Sequence, residues 1–394
     1  MTSCGVARRA SAVHSGPIDD IYAALADRPE VVSFAVGAPD PAVLPTAAVM
    51  APLVEAVIGK YGPAVLQYGK TQGWQPMLEQ ARILLRQRQI HCSLDRMHIS
   101  TGASGALHNL AMAMLDPGDV VLVETPTYEP AIKTFRSFGA TAVAIDCDEF
   151  GLLPDALDQA LVRYRPAFVY ALPTFQNPTG RTMPAPRRAE VAEVIVRRGA
   201  VLVEDDVYTD LRYSGVPVPA FWSFAPDNTV YITSLSKTLA PAMRMGIVVM
   251  PPHLVDSVFA LKQSIDMQTS SFCQAIAAEF LAGPVASAHV ACVVGVYARK
   301  LETLASALSD YLPPDFRWTR PEGGMFVWVE GPRTFDADAT LRRGLDAGVA
   351  FLPGRSFYTN PDDHGSSTLR LSFAGVAEEM IRPGIELLGA LCAH

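Results

Sequence analysis

Tyr231-Ile-Thr-Ser-Leu-Ser-Lys-Thr-Leu-Ala-Pro-Ala-Met-Arg-Met-Gly246 is an apolar strand pattern that breaks into a polar loop and returns to apolar sequence. Lys237 directly follows Ser234-Leu-Ser236, and Arg244 stands seven positions further on. The loop therefore sets one amine beside hydroxyls, backbone N–H groups and a fixed cation. A phosphate-bearing aldehyde needs that combination, the amine for a Schiff base and the other groups for the phosphate. Pyridoxal phosphate fits this description.

On either side of the loop, short β-rich runs alternate with helical patterns. Val120-Val-Leu-Val-Glu124, Ala167-Phe-Val-Tyr-Ala-Leu172, Ala200-Val-Leu-Val-Glu204, Thr229-Val-Tyr-Ile-Thr233 and Gly246-Ile-Val-Val-Met250 are apolar almost throughout, as strands buried on both faces are. Stretches such as Ala185–Arg198, with a proline near the start and charges at helical spacing, read as crossover helices. The expectation is an α/β fold with a mostly parallel sheet. Such sheets bind ligands beyond the carboxyl ends of their strands. Thr125-Pro-Thr-Tyr128, Pro173-Thr-Phe-Gln-Asn-Pro-Thr-Gly180, Asp205-Asp-Val-Tyr208 and Ser234-Leu-Ser-Lys237 follow successive strands there, so their loops should share one crevice.

After about residue 275 the pattern changes. A long helical segment over 271–312 precedes two strands, Phe326-Val-Trp-Val329 and Leu369-Arg-Leu-Ser-Phe373, which predict a smaller α+β domain. The expected division is a large domain over 46–275 and a small one made of 1–45 and 276–394, a reasonable pair for 394 residues at roughly 100–200 residues per domain.

With 49% hydrophobic and 18% charged residues, the composition is that of an ordered globular chain. A net charge of −8 without clusters of Lys and Arg argues against a nucleic-acid partner. Cys4, Cys92, Cys147, Cys273, Cys292 and Cys392 are scattered, with no metal-ligand spacing to the eight histidines, so no metal is expected. The N-terminus has basic residues without an apolar run behind them, and the apolar stretches break well before the roughly 20 residues of a bilayer span. A cytoplasmic protein with no membrane partner is the resulting expectation.

These motifs, in this order, resemble fold-type I, class I aminotransferases of the aspartate aminotransferase superfamily, nearest the branch of 2-aminoadipate and kynurenine aminotransferases. The similarity runs from Phe34-Ala-Val-Gly-Ala-Pro-Asp40 to Leu369-Arg-Leu-Ser-Phe373. It implies a pyridoxal phosphate enzyme that moves an amino group between an L-amino acid and a 2-oxo acid, with Lys237 as Schiff-base lysine and proton shuttle. Asp205 would pair with the ring nitrogen and preserve its electron-sink character. Asp206 is the rival; the family spacing Asp-x-x-Tyr and the alternation of side chains along a strand favour Asp205. Tyr208 and Asn177 would hydrogen-bond the coenzyme's phenolic oxygen, and Tyr128 would stack on its ring.

The resemblance draws the phosphate cup from Gly102, Ala103 and Ser104 ahead of a helix over 106–115, with Ser234, Ser236 and Arg244. Relatives usually carry Ser-Gln where this chain has Ala103-Ser104, so one side-chain contact is in doubt. Tyr68 would reach the phosphate of a neighbouring subunit, which implies a homodimer with shared sites. Arg370 would clamp the substrate α-carboxylate, with Gly37 and Asn177 nearby.

Relatives often read Ser-x-Ile-Arg-Glu-Ile near the N-terminus, whereas Ser15-Gly-Pro-Ile-Asp-Asp-Ile21 puts Asp19 where the arginine stands. A carboxylate there would turn the pocket from acidic toward basic or neutral polar side chains; alternatively, Asp19 caps a helix over 21–26. Gly16-Pro17 would serve as a pivot for that segment. A runner-up function uses the same coenzyme for elimination, cyclisation or oxidation of an amino acid. A third class, a regulator behind a winged-helix DNA reader, would need a basic domain ahead of Phe34, where about 33 residues stand.

Overall fold

The structure, a computed structural model, describes Gly5, residues 17–360 and residues 364–393; Cys4, Ser15 and Gly16 lie outside the described residues. Its centre is a seven-stranded sheet made of β1 (Met97–Thr101), β2 (Val120–Val123), β3 (Thr141–Ala144), β4 (Phe168–Ala171), β5 (Leu202–Asp205), β6 (Thr229–Ser234) and β7 (Met245–Val249), in the order β1-β7-β6-β5-β4-β2-β3. Pairs β6–β5, β5–β4, β4–β2 and β2–β3 are parallel, and β7 is antiparallel to both its neighbours. Every residue of β4, β5, β6 and β7 is buried, which is why those runs are apolar without alternation.

The helices that build or support the site are α1 (Pro17–Ala26), α2 (Ala47–Tyr61), α3 (Gly102–Met114), α4 (Glu129–Ser137), α5 (Pro154–Tyr164), α6 (Ala185–Arg198), α7 (Pro252–Asp266), α8 (Ser271–Ala282), α9 (Val285–Tyr311) and α10 (Glu378–Cys392). Helix α6 shows why they form where they do. Proline stands at its start, Val191, Ala192, Val194 and Ile195 are buried, and Gly199 ends it in the left-handed region at φ 61°.

A second sheet contains β8 (Arg317–Trp318), β9 (Phe326–Glu330), β10 (Leu352–Pro353) and β11 (Thr368–Ser372), in the antiparallel order β8-β9-β11-β10. Just ahead of β10 in the chain, Val349 and Ala350 pair in parallel with Val32 and Ser33.

The expected α/β architecture is present, with four differences. Strands β1 and β3 escape the sequence pattern, because Met97-His-Ile-Ser-Thr101 is interrupted by polar residues and β3 is a sheet edge. The segment 271–312 is two helices bent by 85° at Gly283-Pro284, since proline cannot continue the first helix's hydrogen bonds. Helix α3 begins at Gly102 rather than 106. Finally, Ala47–Leu66 reaches 20 residues with a mean hydropathy of 1.3, the length and composition of a span, despite Pro52, Glu55 and Lys60. Val57 and Val65 pack on Ala275 and Ile276 of α8, while Ile58 and Leu66 are exposed.

Candidate active site

The carboxyl ends of β4, β5 and β6 meet the start of α3 and of α4 around a cavity of about 180 Å³. Ala103, Ser104, Tyr128, Asp205, Tyr208, Ser234, Ser236, Lys237 and Arg244 all line it. Nine residues scattered over 142 positions of sequence are thus brought together by the sheet's strand order.

Lys237 sits in the turn after β6, and its Nζ donates to the Gly37 carbonyl at 3.0 Å. Burial, followed by the positive charges of Arg370 and Arg244, lowers its pKa to about 8. The turn is held by Ser234, whose Oγ donates to the Met245 carbonyl at 2.9 Å and accepts from the Ser236 amide at 3.1 Å. Ser236 and Ser234 hydroxyls are 2.9 Å apart.

Asp205 ends β5, and its Oδ2 accepts from the Tyr170 hydroxyl of β4 at 2.8 Å. Its Oδ1 is buried without a partner, and burial raises its pKa to about 7. Asp206 turns to the other face of the strand, accepting from the Tyr231 hydroxyl at 2.7 Å, and does not line the cavity. Tyr208 is buried and packs edge-on against Phe326 at 5.6 Å.

Asn177 and Arg370 join the two sheets. Arg370, central in β11, donates from Nη1 to Asn177 Oδ1 at 2.9 Å and from Nη2 to the Ala35 carbonyl at 2.6 Å. Its guanidinium lies 4.3 Å from the Phe326 ring centre and 5.1 Å from that of Phe357. Gly37 abuts the same ring: a Cβ there would come within 3.0 Å of Phe326 Cζ. The loop bearing Asn177 is set by Gln176, which donates to the Pro126 carbonyl at 2.6 Å and accepts from the Thr179 amide at 3.0 Å.

On the opposite wall, the first turn of α3 presents Gly102, Ala103 and Ser104, with no side chain capping its N–H groups. Gly102 needs φ 71°, and a Cβ on it would stand 2.5 Å from Arg244 Nη2. Arg244 makes only long bonds, 3.4 Å to the carbonyls of Thr101 and Pro241, so most of its donors are free to face an anion.

Two expected residues lie apart from this cluster. Tyr68 is 75% exposed and does not line its own chain's cavity. Asp19 is in an ion pair with Lys133 of α4 at 2.6 Å, and Lys133 is also 3.0 Å from Glu129. Because α1 begins at Pro17, Asp19 lies within the helix and faces sideways onto α4, neither lining the cavity nor capping a helix at 21. A paired carboxylate carries little of the repulsion expected of a bare one. Tyr170, Phe326 and Tyr22 carry no sequence signal of their part in the site. Tyr170 and Phe326 sit in runs that read simply as apolar strands, and Tyr22 comes into electrostatic reach of Arg370 only through the tertiary fold.

The buried orphan oxygen of Asp205 matches a protonated ring nitrogen. The open helix start with Arg244 and Ser236 matches a phosphate, and the partly neutral Lys237 matches an aldehyde. The residues present therefore fit pyridoxal phosphate.

The family model for aminotransferase class I and II matches residues 29–388. The 2-aminoadipate transaminase of Thermus thermophilus is 35% identical, over 93% of this chain and 91% of the relative. Aromatic-amino-acid aminotransferase 1 of Thermococcus litoralis is 33% identical, over 92% and 88%. The crystal structure of the alpha-aminoadipate aminotransferase of Thermus thermophilus, complexed with N-(5'-phosphopyridoxyl)-L-leucine, superposes with a TM-score of 0.89 at 32% identity, covering 98% of this chain and 97% of that one. These names favour transamination over the elimination or oxidation reading. With its cavity, its fold and nearly its whole length in agreement, the chain belongs to the class I and II aminotransferase family and is an aminotransferase.

Proposed function

We propose that the cavity holds pyridoxal 5'-phosphate and that Lys237 is the residue to which it is attached. The observation that carries this reading is the convergence on one cavity of a depressed amine, an unpartnered buried carboxylate oxygen and an uncapped helix start. When bound, the coenzyme supplies an aldehyde for exchange of amines and a ring that withdraws electrons from the substrate Cα. Asp205 Oδ1 keeps the ring nitrogen protonated, with Tyr170 fixing the carboxylate. Tyr208 and Asn177 hydrogen-bond the phenolic oxygen, and Tyr128 covers the ring. The α3 amides of Gly102, Ala103 and Ser104, with Ser234, Ser236 and Arg244, hold the phosphate. Arg370, beside Gly37 and Asn177, binds the α-carboxylate and so orients the Cα–H bond. Lys237 would take the proton from Cα.

The donor is an L-amino acid and the acceptor a 2-oxo acid. Phe326 and Phe357 around Arg370 favour a neutral, apolar side chain. The apolar face of α2 and the exposed Leu66 and Tyr68 support a homodimer in which Tyr68 completes the partner's phosphate site. Five free cysteines among the described residues suit a reducing, cytoplasmic setting. The pairing of Val32 with Val349 supports the division into 46–275 and a small domain of 1–45 with 276–394.

The test is a single-turnover absorbance scan of coenzyme-loaded protein against a panel of amino acids, with no oxo acid and with oxygen recorded. Stoichiometric conversion of the coenzyme to its amine form is expected, greatest with apolar side chains. Product formation with return of the aldehyde form, or oxygen uptake, would overturn the reading.

A further inference from the structure

Tyr208 can serve a coenzyme only if its backbone is held, yet it stands in a stretch, 206–211, that belongs to no helix or strand. The ends of that stretch are tied by backbone bonds, Asp206 N–H to the Ile232 carbonyl at 2.8 Å and Gly324 N–H to the Leu211 carbonyl at 2.8 Å. Its middle is gripped by a side chain from elsewhere. Arg88 follows the helix Gln75–Gln87, lies in no motif, and does not line the cavity. Its side chain is only 11% exposed. Nη1 donates to the Tyr231 hydroxyl at 2.9 Å and to Thr233 Oγ1 at 2.9 Å, and Nη2 donates to Asp210 Oδ2 at 2.5 Å. The two hydroxyls pass the contact on: Tyr231 donates to Asp206 Oδ2 at 2.7 Å and Thr233 to the Asp206 carbonyl at 2.8 Å. One guanidinium thus holds residue 206 through two hydroxyls and residue 210 directly, with Tyr208 midway between them.

We propose that Arg88 is a positioning residue for Tyr208: its fork, acting from outside the cavity, fixes the loop 206–211 and so sets the Tyr208 hydroxyl at the coenzyme's phenolic oxygen. This rests on the assignment of Tyr208 to that oxygen. A planar guanidinium suits the task because its donors point in fixed directions, so three acceptors on two chain segments are held at set angles. Asp206→Asn keeps the Thr233 and Asp210 arms and leaves the loop in place. The Tyr208 ring centre is 5.9 Å from Lys237 Nζ, so its setting is felt at the reacting nitrogen. A hydroxyl that donates to the phenolic oxygen draws electron density from it. The Lys237 nitrogen, once attached to the coenzyme, shares its proton with that oxygen and therefore gives it up at a lower pH. Loosening Tyr208 raises that pH.

Holoenzymes of the wild type, Arg88→Met, Asp210→Asn and Tyr208→Phe are titrated with acid and base while the absorbance of the bound coenzyme is followed. Melting temperature is recorded, and kcat and KM are measured for one amino acid. Arg88→Met should raise the absorbance midpoint by about half a pH unit or more, the scale of one weakened hydrogen bond. Its kcat should fall about tenfold with KM within about twofold, because Arg370 is untouched. Asp210→Asn keeps the shape and weakens one arm, so its midpoint should move the same way by less; it decides the matter if Arg88→Met does not fold. A lower melting temperature with midpoint and kcat at wild-type values would mean a purely structural clamp and overturns the proposal. Tyr208→Phe separates the two readings. An unmoved midpoint in that variant removes the assignment of Tyr208 and this proposal with it, whereas a shift there and none in the Arg88 and Asp210 variants sinks only this one.

Discussion

Lys237 shows how much one side chain owes to its surroundings. Its amine is nucleophilic only when neutral, and burial with Arg370 and Arg244 brings its pKa from 10.5 down to about 8. Between those values the unfolded chain holds a proton at this site that the native protein has released, so this residue makes apoprotein stability rise with pH across that window. Coenzyme capture by the apoprotein, followed by absorbance, should accelerate with a midpoint near pH 8; a midpoint near 10.5 would mean an exposed, unperturbed amine. The adjacent carboxylates separate by consequence. Asp205→Asn removes the charge behind the orphan oxygen and should lower kcat by on the order of a hundredfold or more. Asp206→Asn weakens the Tyr231 bond on the far side of the strand, away from the cavity, so it should retain activity and lose about 1 kcal/mol in a thermal melt. Equal kcat losses in the two variants would contradict the assignment. Alternation along a strand makes this choice legible in the sequence; the support from Tyr170 is not, because it comes from the neighbouring strand.

At the scale of elements, the start of α3 is decisive. The sequence sets Gly102, Ala103 and Ser104 ahead of a helix over 106–115, but these residues are themselves the first turn of the helix. Its conformation is fixed from outside: Gly102 is at φ 71° against Arg244, and β7 approaches so closely that a Cβ on Gly246 would stand 2.7 Å from the Gly102 carbonyl carbon. Gly102→Ala should therefore weaken coenzyme binding by about tenfold and cost about 1 kcal/mol of stability, read by fluorescence titration and melting. Unchanged coenzyme affinity would show that this turn does not hold the phosphate. The break at Gly283-Pro284 is present in the sequence as proline's missing donor, although its 85° angle follows from how α8 and α9 pack.

At the scale of the whole molecule, α2 and the residues after it leave apolar surface uncovered, with Ile58 at 42%, Leu66 at 67% and Tyr68 at 75% exposure. If two copies share their sites, Lys237→Ala and Tyr68→Ala chains mixed after dissociation should regain activity that neither has alone. Mixed dimers would each assemble one intact site, about a quarter of wild-type turnover in an equal mixture. No recovery, with mixed dimers verified, would mean that each site is built from one chain.

The sequence by itself determined the buried strands, the crossover helix at Ala185–Arg198 and the order of polar loops, because apolar periodicity, proline and glycine act locally. It also named nine of the thirteen residues that line the cavity, since their chemistry is written in residue type and spacing. Only the tertiary structure decided that Arg370 meets Asn177 and Ala35, that Tyr170 holds Asp205, and that Asp19 is paired with Lys133. Those contacts join residues up to 335 positions apart, and no local pattern encodes which side chains will face each other once the strands have been ordered.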